Sequence, residues 1–199
     1  MKKNQPKINT SRRRLLHQTA FSASLLVSPF VPVPAYSENN WQKSIEVFPE
    51  MEILNKDGTE LYLKQFLRRP LLINFWATWC APCVFELPHL DKAATLLKKF
   101  NIDVLLVSTD RSPIQDVSAF LDSKQIYIPF TGFDSKANWA RAMNVSALPI
   151  TFLINANQTR SVSHTGIAEW SSTKMINDIR AQISILGWTY FILNPALRE

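Results

Sequence analysis

Residues 71–83 constrain this chain more than any other stretch. A near-continuous apolar run, Leu71-Leu72-Ile73-Asn74-Phe75-Trp76, leads after three residues to the chain's two cysteines, Cys80 and Cys83. Such a run predicts a strand covered on both faces, as in a parallel sheet. From Val84 to Phe100, Leu87, Leu90, Ala94 and Leu97 recur at helical spacing. The cysteine pair therefore stands where a buried strand ends and a helix begins.

That position suits thiol chemistry. The attacking species in thiol–disulfide exchange is a thiolate. Unpaired N–H groups and the dipole at a helix N-terminus favour its charge. Paired cysteines of this spacing bring a thiol from about 8.5 down to roughly 3.5–7.5. Cys80 would attack a target disulfide, and Cys83, one turn on and more buried, would resolve the mixed disulfide. Three other readings compete. A structural disulfide closing so short a loop adds little entropic stabilisation. A zinc site lacks a second ligand pair. Haem attachment needs His after the second cysteine, where Val84 stands.

Strands and helices alternate along the chain. Met51 to Leu54 and Glu60 to Leu63 predict a hairpin across the Asp57-Gly58 turn. Lys64–Arg69 reads as a polar connector. Asp103 to Ser108 predicts a second buried strand, and Pro113 opens a helix to about Lys124. Tyr127–Phe130 predicts a short strand, Ser135 to Met143 a helix and Ile150 to Ile154 a third buried strand. Arg160–His164 reads as an edge strand and Glu169 to Leu186 as the last helix. The alternation predicts an α/β fold with a mixed, mostly parallel central sheet. Trp76 and Met143 read as core. Trp79 reads as a partly exposed platform beside Cys80. His89 and His164 read as surface or satisfied histidines.

Charge is confined to one end. The formal net charge is +6, from 22 Lys and Arg against 16 Asp and Glu. Residues 1–35 hold six of the bases and no acid, so the rest of the chain is formally neutral. No long-range pull on phosphate follows, which argues against a nucleic-acid partner. Residues 1–35 read as a signal peptide: a basic start, an apolar stretch from about Leu15 to Val31, and small residues ending at Ala35. Ser11-Arg12-Arg13-Arg14-Leu15-Leu16 resembles the twin-arginine export signal. The expected location is the periplasm, with an uncleaved anchor left open. Residues 36–47 read as a leader, 48–187 as the folded domain and 188–199 as an apolar tail.

Asn74-Phe75-Trp76-Ala77-Thr78-Trp79-Cys80-Ala81-Pro82-Cys83 resembles the thioredoxin superfamily, and within it the TlpA/ResA group of exported thiol–disulfide oxidoreductases. Val145-Ser146-Ala147-Leu148-Pro149-Ile150-Thr151 matches a second motif of that group. The resemblance implies a thioredoxin-like fold with an N-terminal hairpin and an inserted strand and helix near 127–143. It implies a cis bond before Pro149, facing the disulfide, with the Leu148 backbone free to pair with a substrate chain. Trp79 and Pro82 would share that substrate surface. Plain thioredoxins hold a buried Asp at the Asn74 position. Here the resemblance gives the proton role to Glu86, against the alternative of a first-turn Glu serving the helix dipole. Ile150 departs from the Thr common after the proline.

The implied function is reduction of disulfides in exported proteins, such as apocytochrome c or copper-site assembly proteins. A membrane thiol donor would restore the dithiol. No cofactor or metal is implied. The rivals are a redoxin-type peroxidase working through Cys80 and a copper-delivery protein using Cys80, Cys83 and His164.

Overall fold

The computed structural model describes residues 41–43, 49 and 52–188. The expected signal peptide and most of the expected leader and tail lie outside these. The strands are β1 (Trp41–Lys43), β2 (Glu52–Asn55), β3 (Glu60–Tyr62), β4 (Leu71–Trp76), β5 (Asp103–Ser108), β6 (Phe130–Phe133), β7 (Ile150–Ile154) and β8 (Ser161–Thr165). The helices are α1 (Ala81–Lys98), α2 (Ile114–Ser123), α3 (Asn138–Ala142) and α4 (Thr173–Ile183). They flank one eight-stranded sheet in the order β1-β8-β7-β4-β5-β6-β2-β3. The expected hairpin is β2–β3, and the expected insertion is β6 with α3. Among the described residues no helix is long and apolar enough to cross a membrane.

Strand alternation sorts β4 between two cores. Leu72 and Trp76 face one core with Leu87, Leu90 and Leu97 of α1 and Ile179 of α4. Leu71, Ile73 and Phe75 face the other, with Trp139 of α3, Phe66 and Phe152. Phase along the strand puts Asn74 on the face of Leu72 and Trp76, under α1. Every residue of β4 and β5 is buried, as their apolar runs predict.

Several expectations are revised. The sheet is mixed as expected, but only β4–β5 and β5–β6 are parallel, and the other five pairings are antiparallel. Two-sided burial makes a strand apolar whichever way it runs, so the run of β7 carried no information on direction. β8 is not an edge. Trp41 of β1 pairs with His164, so part of the expected leader closes the sheet and buries that histidine. The polar connector holds a 3₁₀ turn, Leu63–Phe66, whose Phe66 packs edge-on against Phe130 at 4.9 Å. One aromatic among charges anchors the turn. The inserted strand starts at Phe130 rather than Tyr127, which is exposed. α4 starts four residues late, because Ser172 caps it by accepting the Met175 N–H at 3.1 Å.

Candidate active site

β4 delivers the chain to the site and α1 carries it away. Cys80 is the N-cap of α1, and Pro82 lies in the first turn, where a missing N–H costs nothing. The two cysteines form a disulfide. The Cys83 N–H donates to Cys80 Sγ at 3.3 Å, so a helix-terminal donor points at the outer sulfur. Cys80 is 6% exposed and Cys83 is fully buried. Trp79 beside them is 71% exposed, Pro82 is exposed, and Phe85 of α1 is also open to solvent.

A second carboxylate fixes the approach to the cysteines. Asp110, buried after β5, accepts from the Thr78 N–H at 3.0 Å and the Thr78 hydroxyl at 2.6 Å. The Ser108 hydroxyl donates to it as well, at 2.7 Å. The turn between β4 and Cys80 is thereby tied to the neighbouring strand. Asp110→Ala leaves those donors unpaired. It should cost about 1–3 kcal/mol in urea denaturation, and an unchanged midpoint would mean the turn holds itself.

Glu86 follows Cys83 by one helical turn, on the same face of α1. It is fully buried. Asn74 Nδ2 donates to Oε1 at 2.8 Å, and Trp170 Nε1 and the Ala168 N–H donate to Oε2 at 2.8 and 3.2 Å. Burial pushes its pKa from 4.5 up to about 7, with the three hydrogen bonds pulling the other way. Asn74 Nδ2 also donates to Thr151 Oγ1 on β7 at 2.9 Å. The carboxyl is thus joined to β4, to β7 and to the loop after β8.

The peptide bond between Leu148 and Pro149 is cis. Ile150 pairs with Phe75 near the end of β4, which brings Pro149 to the end of the sheet that bears the disulfide. Pro149 is buried and Leu148 half-buried against the core that holds both cysteines. Trp79, Cys80, Pro82, Cys83, Leu148 and Pro149 thus fall at one end of the sheet, with Glu86 one turn along α1. Among the described residues no three of His, Cys, Asp and Glu are grouped to hold a metal ion. His164 sits instead between Trp41 and Trp170, at 5.6 and 5.2 Å.

Sequence reading missed Asp110, Thr151, Ala168 and Trp170. Asp110 follows β5 in a polar stretch, and Thr151 lies within β7, where its hydroxyl interrupts an apolar run. That interruption was the available signal for Thr151, and Asp110 gave none. Trp170 gave none, since a tryptophan in an expected helix reads as core.

Known proteins give the site its context. The ResA thiol-disulfide oxidoreductase of Geobacillus kaustophilus (strain HTA426) is 30% identical over 109 residues, 55% of this chain and 62% of that protein. ResA of Bacillus subtilis (strain 168) is 30% identical over 107 residues, 54% of this chain and 59% of that one. The match spans less than two thirds of these relatives. A Chlorobium tepidum structure assigned as the thiol:disulfide interchange protein DsbE superposes with a TM-score of 0.60 at 25% identity, over 73% of this chain and 97% of that one. The exposed lipoprotein thioredoxin of Streptococcus pneumoniae strain TIGR4 shares the fold, with a TM-score of 0.57 at 19% identity over 67% and 99% of the two chains. The redoxin family pattern matches residues 42–183. With a thioredoxin-like fold and its cysteine pair at the head of α1, the chain belongs to the redoxin family.

Proposed function

We propose that this chain is a thiol–disulfide oxidoreductase that reduces disulfides in exported proteins. The observation that carries the reading is the Cys80–Cys83 disulfide at the N-terminus of α1, one turn before the buried carboxyl of Glu86. The names of the ResA relatives support it.

The reaction starts from the dithiol. Cys80 thiolate, facing the Cys83 N–H, attacks one sulfur of a partner disulfide. That bond breaks, the partner's other sulfur leaves as a thiolate and takes a proton from solvent, and a mixed disulfide forms. Cys83 gives its proton to Glu86, and its thiolate attacks Cys80 Sγ. The partner leaves with both sulfurs reduced, and Cys80 and Cys83 are oxidised to the disulfide. A carboxyl with a pKa near 7 is matched to this transfer at neutral pH. Leu148, held by the cis bond to Pro149, would receive an extended partner segment by main-chain pairing, with Trp79 and Pro82 as its apolar floor.

The basic, apolar N-terminal segment with its arginine run supports a periplasmic location for this chemistry. Apocytochrome c and copper-site assembly proteins are the substrate classes, and a membrane thiol donor returns the electrons. The formally neutral chain beyond residue 35 argues for protein partners rather than nucleic acid.

Two measurements test the reading. The protein should catalyse insulin-disulfide reduction by dithiothreitol, and its potential should lie below about −150 mV, toward the thioredoxin end of the scale. A higher potential reverses the direction to oxidant. Peroxide turnover needing Cys80 alone, without insulin reduction, makes the protein a peroxidase.

A further inference from the structure

Glu86 and Pro149 stand on different elements, and one short loop reaches both. Residues 166–170 run from the end of β8 toward the Ser172 cap of α4. The Gly166 N–H donates to the Pro149 carbonyl at 2.9 Å. Two residues on, the Ala168 N–H donates to Glu86 Oε2, and Trp170 Nε1 donates to the same oxygen. Trp170 is fully buried. Trp41 at 6.1 Å and His164 at 5.2 Å hold its ring edge-on. The direction of its N–H is therefore set by packing, ahead of any charge on Glu86.

An indole N–H donates and cannot accept. It favours the carboxylate of Glu86 over the acid and gives the acid nothing. Asn74 differs. Its Oδ1 is buried without a partner, so a turned amide can present that oxygen to a protonated Glu86, at the cost of the Nδ2 bond to Thr151. Trp170 is thus the side-chain partner of Glu86 whose help goes to one protonation state alone. Burial drives the carboxyl toward the acid, and an acid at pH 7 cannot take a proton from Cys83.

We infer that Trp170 is a positioning residue of this site: its indole N–H keeps Glu86 ionised enough to accept the Cys83 proton, and its loop ties that carboxylate to the Pro149 segment. Its consequence for rate rests on the proposed exchange reaction, while the contact itself does not. The other ionisable groups on the elements around Glu86 are Cys80 at the cap of α1, Cys83 and His89 on α1 with Asp91, Lys92 and Lys98 further along it, His164 on β8, Glu169 in the loop, and Lys174 at the start of α4 with Asp178 and Arg180 further along it. Glu169 and Lys174 face solvent. With the disulfide closed, the cysteines do not titrate.

The experiment uses the full chain in two arms. In the oxidised protein, the Trp170 indole N–H resonance is followed from about pH 5 to about pH 9. It should shift with a midpoint near 7, and the shift should vanish in Glu86→Gln. In the second arm, Trp170→Phe keeps a ring against His164 and removes the N–H. The pH profile of insulin reduction should move up by about one unit, a tenfold gain in proton affinity. In a Glu86→Gln background the same substitution should leave the profile where it is. An indole resonance indifferent to pH, or a Trp170→Phe profile with the parent midpoint and only a lower Tm, makes Trp170 a core residue and ends the inference. If the parent reduces no insulin, the exchange reading falls and the indole titration alone decides the contact. If Trp170→Phe does not fold, the same titration in the parent and in Glu86→Gln decides it.

Discussion

Cys80→Ser should reduce insulin-disulfide turnover to the uncatalysed background, while Cys83→Ser should complete only the first half of the reaction and stop. The asymmetry follows from placement. Cys80 caps α1 at the surface end, receives the Cys83 N–H on its sulfur and retains some exposure. Cys83 is sealed beneath it. A serine hydroxyl at position 80 stays protonated at neutral pH and is no nucleophile toward sulfur. A serine at position 83 spares the first attack and removes the second, so the partner stays bonded to Cys80. Non-reducing electrophoresis with a disulfide-bearing protein reads both results. A covalent adduct that accumulates with Cys83→Ser and is absent with Cys80→Ser supports the order. Equal turnover by Cys80→Ser and the parent would remove the mechanism altogether.

Glu86 should dominate the pH dependence of stability in the oxidised protein, where the cysteines carry no proton. Its folded pKa is raised from 4.5 to about 7, with burial the first cause. Below about pH 4.5 the folded and unfolded chains both hold the proton, and this source of stability is complete. Between about pH 4.5 and 7 the unfolded chain releases the proton and the folded one keeps it, so stability falls as pH rises. Above about pH 7 it is gone. A shift of that size is worth about 3 kcal/mol. Glu86→Gln, neutral throughout, should flatten the window and gain up to about 3 kcal/mol over the parent at pH 8. The gain should come with a loss of about 10²-fold in exchange rate, the scale of a missing proton acceptor. Urea denaturation at several pH values gives the first quantity and insulin reduction the second. Coincident stability curves for parent and variant from pH 4.5 to 7 would show that the carboxyl does not titrate there.

The two predictions bear on different parts of what could be read in advance. The strand–cysteine–helix junction was legible because it is local: β4, Cys80 and α1 are consecutive, and their apolar spacing reports burial directly. Glu86 was legible as a candidate for the same reason, being one turn from Cys83. Pro149 lies far along the chain and was reached only through its motif. Its place at the disulfide end of the sheet comes from the pairing of Ile150 with Phe75. The share of parallel pairing was overestimated, and the edge was misplaced at β8, because neither leaves a trace in the composition of a strand.

Amino-acid order alone thus determined the cysteine pair and the helix that receives it, since each depends on neighbours within a few residues, and the thioredoxin-like class followed from the resemblance of the motifs around the pair and Pro149. Tertiary structure decided the surroundings of Glu86. Asn74, Ala168 and Trp170 meet its carboxylate only after β4, α1 and the loop beyond β8 have packed together. A proton affinity is set by whatever surrounds a group in space, at low dielectric and short range. No spacing along the chain encodes that.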